Sequence, residues 1–205
     1  MPEFTAHNIW PTPIYKNEIP LEPRWVSYCE QAPCKRTNSN NGWISTNFDI
    51  LNTDELIELK HKIFEHLNVY LLQHLKINNR LRLTTSWITK HDKGDFAQIH
   101  SHQNSLISGV FYLKTKENCG DLYFERNIGS NSFLSESFRF DLIEETFINS
   151  NRHKIDVYDG LLLLFPSTLK HGTPVMPLDN YTRIAISFNT FLSGPTCGED
   201  LYLEA

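Results

Sequence analysis

The sequence predicts a mainly β protein with flanking helices, built as a double-stranded β-helix (jelly roll). Three observations carry this. Seven short β-branched or aromatic runs crowd residues 80–192. Gly, Asn, Asp and Pro turns separate them. One long helical pattern precedes them, and no second one interrupts them. Parallel βαβ units need a crossover helix between strands, so its absence favours antiparallel strands in two stacked sheets.

Residues 1–50 are rich in proline, asparagine and aromatics, and hold short extended pieces such as "TPIYKNEI" and "GWISTNFDI". The stretch "NTDELIELKHKIFEHLNVYLLQHLK" is the helix, with Asn52 as its expected cap and Glu55 at the third helical position. Leu56, Leu59, Ile63, Leu67, Tyr70, Leu71 and Leu75 follow helical spacing. His61, His66 and His74 of this helix read as solvated or boundary positions. The seven strand runs are "LRLTTSWIT", "SLISGVFYL", "GDLYFER", "HKIDVY", "GLLLLFP", "HGTPVM" and "YTRIAISFNTF". Residues 127–150 carry no pattern and read as a long loop or lid. The expected organisation is one structural domain. Residues 1–79 form an N-terminal extension with short strands and one supporting helix, and 80–205 form the β core.

The chain has 205 residues, 40% of them hydrophobic and 21% charged, with a net charge of -5. That acidic balance argues against nucleic acid or an anionic membrane as partner. No apolar run reaches the roughly 18 residues of a membrane span and no basic leader opens the chain, so a cytoplasmic location is expected. Cys29, Cys34, Cys119 and Cys197 match no zinc spacing and read as reduced thiols. The oligomeric state is left open, a homodimer being one option.

The chemistry centres on "DFAQIHSHQNSLISGVFYLK", residues 95–114. In a strand, residues i and i+2 leave the same face, so His100 and His102 would stand side by side. A transition metal needs a further ligand from another strand, and His171, after the Pro turn of "GLLLLFPSTLKHGTPVM", is the candidate. Arg183 opens "RIAISFNTF", otherwise apolar on both faces, where an arginine needs a reason. Folding back over "PLDN" would pair its strand with that of His171 and set Arg183 on the order of 10 Å deeper. A dicarboxylate held to metal at one end would reach the guanidinium fork with the other. The competing reading is a surface arginine paired with Asp179. Tyr112 and Ser187 are further hydroxyls for the same carboxylate. Trp87 and Asn104 are candidates for the substrate side. His91, on the loop before the first ligand, could face substrate but reads better as a solvated loop histidine.

Together, His100-x-His102, "GVFYL", "GDLYF", "GLLLLFPSTLKHGTPV" and "RIAISFN" resemble the 2-oxoglutarate- and Fe(II)-dependent oxygenases. The resemblance covers residues 80–192 and is strongest to a bacterial and phage branch with HxHxNSxxSGVxYL and LLLFPSxLxHxxxP signatures; "WPTPIY" is similar too. More distantly, "FYLK" and "NYTRIAIS" resemble prolyl hydroxylases. The resemblance implies Fe(II), 2-oxoglutarate and O2, with Arg183 and Tyr112 on the distal carboxylate. It implies hydroxylation of an unidentified small molecule or protein side chain, with succinate and CO2 as co-products.

One departure stands out. The family normally places Asp or Glu where this chain has His102. Asn104, Asp95, Asp121 or Glu125 are alternative oxygen donors, with His102 then behind the ligands. The spacings from Gly94 to His100 and from Gly160 through Pro166 to His171 also resemble the two cupin motifs, although Leu106 and Ile107 replace the cupin glutamate and Thr168 a glycine. A three-histidine cupin of thiol-dioxygenase type, using no oxoacid, is therefore the alternative enzyme. A catalytically silent jelly-roll binding protein is the third reading.

Overall fold

The computed structural model describes residues 11–37, 41–126, 141–196 and 203–204. Two antiparallel sheets stack face to face. The larger has seven strands. In spatial order these are β1 (Tyr15–Glu18), β9 (Leu161–Pro166), β6 (Ile107–Lys114), β11 (Arg183–Ser193), β4 (Arg80–His91), β3 (Gly42–Ser45) and β2 (Cys34–Thr37). The smaller has four, in the order β5 (Ala97–His100), β10 (Lys170–Thr173), β7 (Leu122–Glu125) and β8 (Arg152–Ile155). This is the jelly roll. The first fifty residues supply three strands of the large sheet, so the N-terminal segment is sewn into the β core. Cys197 and residues 127–140 of the expected lid lie outside the described residues. Residues 141–150 form bends and a turn.

The central strands are apolar on both faces because both faces are covered. Leu162 and Leu164, Phe111 and Leu113, Ile184, Ile186 and Phe188, and Ile88 point outward, into one core with the helices. Their neighbours Leu161, Leu163 and Phe165, Val110 and Tyr112, and Ala185 point inward, against Leu122, Phe124 and Ile155 of the small sheet. Alternation thus sorts residues between two dry compartments, where an ordinary half-exposed strand would sort them between core and water.

Two helices cover the outer face. Helix α2 (Ile57–Val69) buries Leu59, Ile63 and Leu67, each contributing about 1.5–3 kcal/mol by leaving water. The expected cap at Asn52 does not form. Asn52 ends a 3-10 turn, Ile50–Asn52, where its amide bonds Asp49 (2.7 Å) and Lys60 (2.5 Å), and α2 starts after Leu56. Its last turns widen into a π-helix, Tyr70–Leu75, closed by Lys76 at φ 57°. His66 bonds the Tyr15 hydroxyl at 2.8 Å, a boundary role. Helix α1 (Pro23–Gln31) has no counterpart in the expected elements. Its signals are Pro23 at the first turn and the i, i+4 pair Trp25 and Cys29, both fully buried.

One expected pairing is overturned. Strand β11 pairs with β4 and β6, whereas β10 pairs with β5 and β7 in the other sheet. The "PLDN" connection crosses between sheets. Arg183 and His171 therefore face one another across the sandwich rather than along a shared ladder.

Candidate metal centre

His100 and His171 are brought together by register: they sit directly opposite in the β5–β10 pair. Strand β5 ends at His100, so His102 lies just past the strand rather than within it. Its backbone N–H donates to Ser167 O (2.9 Å), which anchors the loop against the end of β9. Ring centroids are 4.5 Å apart for His100 and His171, 5.0 Å for His100 and His102, and 5.1 Å for His102 and His171. One ring nitrogen from each lies within 4.8 Å of the others.

The donor set fits a divalent transition ion. His100 Nδ1 bonds Gln98 O (2.7 Å) and His171 Nδ1 bonds Leu169 O (2.9 Å), so both rings keep Nε2 for the cluster. His102 Nε2 and His171 Nε2 are 3.2 Å apart. Two imidazoles bound at about 2.1 Å to one ion would span that distance at an angle of roughly 100°. Burial pushes His171 down to about 3 and His102 down to about 4, with neighbouring imidazoles adding to the shift. Both are neutral, lone-pair-bearing ligands at neutral pH.

The three alternative carboxylates are each engaged elsewhere. Asp95 is buried in an ion pair with Arg36 (2.8 Å), Asp121 pairs with Lys154 (3.0 Å) and Glu125 with Arg152 (3.3 Å). Asn104 is exposed in a left-handed turn at φ 55° and does not line the cavity. Among the described residues the cluster is three histidines.

The cluster opens into a cavity between the two sheets. Trp87, Tyr112, Arg183 and Ser187 line it from the large sheet. Tyr112 is buried and its hydroxyl is pushed up to about 12 by burial, so it stays a neutral hydrogen-bonding group. Trp87 packs against His102, 5.8 Å between centroids.

Arg183 is buried at 5% exposure, donating to Gly120 O through Nη1 and to His91 Nδ1 through Nη2 at 2.6 Å. No carboxylate pairs with it among the described residues, and Asp179 instead binds Lys93 (2.7 Å). A buried cation without a counter-ion is costly, and this one lines the cavity. The solvated loop position expected for His91 is overturned. The residue is buried at the end of β4, opposite Arg183 in the ladder. Burial and then the Arg183 and Arg36 charges push it down to about 3, and as neutral imidazole it accepts from the guanidinium. The signal was parity: Trp87, Thr89 and His91 share the face that carries Trp87 into the cavity.

A jelly roll with a histidine-lined cavity and a buried arginine defines a class, and comparison with solved structures agrees on the fold. A Pseudomonas putida prolyl-4-hydroxylase matches at TM-score 0.55 and 14% identity, covering 87% of this chain and 92% of that one. HygX from Streptomyces hygroscopicus, with nickel and 2-oxoglutarate bound, matches at TM-score 0.57 and 14% identity over 87% and 82%. A Trichoplax adhaerens prolyl hydroxylase, in complex with a hypoxia inducible factor peptide fragment, matches at 0.55 and 16% over 82% and 74%. No curated protein matches the chain. The family model described as "Putative 2OG-Fe(II) oxygenase" matches residues 85–189, more than half of the chain. The chain belongs to that family. It is an oxidoreductase that uses Fe(II) and 2-oxoglutarate. Among the described residues no helix is long and apolar enough to cross a membrane, which leaves β-barrels untouched.

Proposed function

We propose that His100, His102 and His171 hold the Fe(II), that Arg183 with Tyr112 and Ser187 holds the distal carboxylate of 2-oxoglutarate, and that the reaction hydroxylates a substrate entering past Trp87. One observation carries the reading. A single cavity holds three convergent imidazole nitrogens and a buried guanidinium that, among the described residues, has no acidic partner.

Bound iron with 2-oxoglutarate and O2 supplies the oxidising chemistry, with succinate and CO2 as co-products. The chain's own residues supply geometry. Arg183 neutralises the distal carboxylate in a low-dielectric wall. The His91 and Gly120 acceptors fix two of its N–H groups, leaving the others for the ligand. Tyr112 on β6, opposite Ala185, and Ser187 on β11, two residues further along, flank that position. Phe165 and Phe124 pack against His171, at 4.7 and 6.2 Å between centroids, and hold its ring in place. Two neighbouring proteins were solved with very different molecules bound, hygromycin B in HygX and a peptide fragment in the Trichoplax hydroxylase. Small molecules and protein side chains therefore both remain substrates for trial. The division into a 1–79 supporting segment and an 80–205 catalytic core belongs to this reading, as does a cytoplasmic location.

The test is turnover. Protein prepared anaerobically with Fe(II) and 2-oxoglutarate, then exposed to air, releases succinate slowly even without primary substrate. No succinate, together with oxygen consumption on an added thiol, would replace this reading with the cupin-type one.

A further inference from the structure

His100 and His171 each rest Nδ1 on a backbone carbonyl, but His102 does not. Among the described residues its Nδ1 has one neighbour, the side-chain amide of Asn189, at 3.5 Å. That amide ends a chain of hydroxyls. Asn189 Oδ1 accepts from Ser108 Oγ (2.7 Å), which bonds Ser167 Oγ (2.8 Å). Ser167 bonds Ser105 Oγ (2.7 Å), and Ser105 reaches Thr190 O (3.1 Å). On its other side Asn189 Nδ2 meets Thr85 Oγ1 at 3.2 Å.

A neutral imidazole that gives its Nε2 lone pair to a metal carries its proton on Nδ1, and that N–H needs an acceptor. Turning the Asn189 amide over exchanges its oxygen and nitrogen. Oδ1 then faces His102 Nδ1 and Thr85, and Nδ2 faces Ser108. Every group between that amide and the terminal Thr190 carbonyl is a hydroxyl, able both to donate and to accept. Donation then runs from Asn189 Nδ2 through Ser108, Ser167 and Ser105 to Thr190 O, and no bond is lost. The imidazole releases one proton from Nε2 to water and takes one at Nδ1, so charge is unchanged.

Resting on the three-histidine reading above, we propose that Asn189 is a positioning residue for metal binding: its side-chain carbonyl receives the Nδ1–H of His102, and the serine chain lets the amide turn to do so. His102 stands where the family usually has a carboxylate, which needs no tautomer. The substitution therefore creates a requirement that Asn189 meets.

Anaerobic titration of the full chain with Co(II), read by its visible bands, tests this with three variants. Wild type binds and His171→Ala does not; a wild type that fails to bind removes the metal reading itself. Asn189→Leu, which keeps the size but has no acceptor, weakens Co(II) binding about 10- to 100-fold. Asn189→Asp, an acceptor at either oxygen, binds within a few-fold of wild type or tighter. Equal affinity in Asn189→Leu and wild type, or Asn189→Asp as weak as Asn189→Leu, overturns the proposal while leaving the metal site standing. Should either variant fold poorly, Zn(II)-loaded wild type decides by long-range 1H–15N correlation. A slowly exchanging Nδ1–H on His102 supports the proposal, and one exchanging like a free imidazole refutes it.

Discussion

The two sheets build their halves of the cavity by different means. On the small sheet the functional residues are held by pairing: His100 faces His171 across short strands, and His102 is tied in by one backbone bond to Ser167. On the large sheet they are held by burial. Arg183, Tyr112 and Ser187 lie on long strands whose opposite faces carry Ile184, Ile186, Phe188 and Phe111 into the helix-covered core. The metal side therefore depends on local ladder geometry and is assembled from marginal pieces, whereas the oxoacid side inherits its rigidity from the main core. Damage to the first should spare the fold and cost the site, and damage to the second should cost both.

The largest effect is expected at the metal side. His171→Ala removes the central ligand and should weaken Fe(II) or Co(II) affinity by more than about 100-fold, beyond what losing an outer partner costs. Urea denaturation should show little loss of stability, since the change also lifts a buried imidazole. Tight metal binding with normal succinate release in this variant would break the three-histidine account. Arg183→Ala comes next. Losing the charged partner of the distal carboxylate should raise the KM for 2-oxoglutarate on the order of 100-fold while leaving Co(II) binding nearly intact. An unchanged KM would take Arg183 out of oxoacid binding.

How much of this could be read in the sequence follows the same division. The strands carrying Arg183 and Tyr112 were legible as runs, and Arg183 was legible as an anomaly, because a charge inside an apolar run is costly enough to need a cause. Its neighbours in space were not. Both faces of β11 are buried, so periodicity could not say which strands flank it, and the short "PLDN" link looked like a hairpin when it joins two sheets. The histidine cluster was legible from spacing, although His102 lies beyond the strand that the spacing implied. Asn104 shared the motif but is exposed, in a left-handed backbone conformation. His91 was hidden by its polar setting, "KHDKGD", which reads as loop until its ladder partner is known. Helix α1 was masked by the prolines around it.

Two glycines sharpen the contrast. A Cβ on Gly109 of β6 would meet the Phe188 ring at 2.2 Å, inside the helix-covered core. Gly109→Ala should destabilise the protein by about 1–3 kcal/mol, since overpacking there forces a buried ring off its position. A Cβ on Gly172, next to His171, would meet Ala97 O at 2.8 Å and the Tyr123 hydroxyl at 3.0 Å. That wedge opens the β5–β10 pair that aligns His100 with His171. Gly172→Ala should therefore cost metal affinity more than stability, and Gly109→Ala the reverse. Measuring Co(II) affinity and urea midpoints for both tests the division, and equal ratios of the two losses would abolish it.

The smallest effect isolates one imidazole of the oxoacid side. His91 titrates near 3 in the folded chain, held down first by burial and then by the Arg183 and Arg36 charges. Its unfolded value is about 6.5. Between those values the unfolded chain binds a proton that the folded chain refuses. Stability is therefore full above about pH 6.5 and falls as the pH drops, approaching about 1.4 kcal/mol per pH unit for this group. His91→Gln keeps an acceptor for the Arg183 N–H and removes the titration. Between pH 6 and pH 4.5 its stability should fall less steeply than wild type, by about 1 kcal/mol per pH unit. His102 and His171, depressed by burial in the same direction, keep their share of the slope in that variant. Parallel slopes for variant and wild type would mean that His91 is protonated in the folded chain. It could then not accept from Arg183, and the guanidinium would owe its orientation to Gly120 alone.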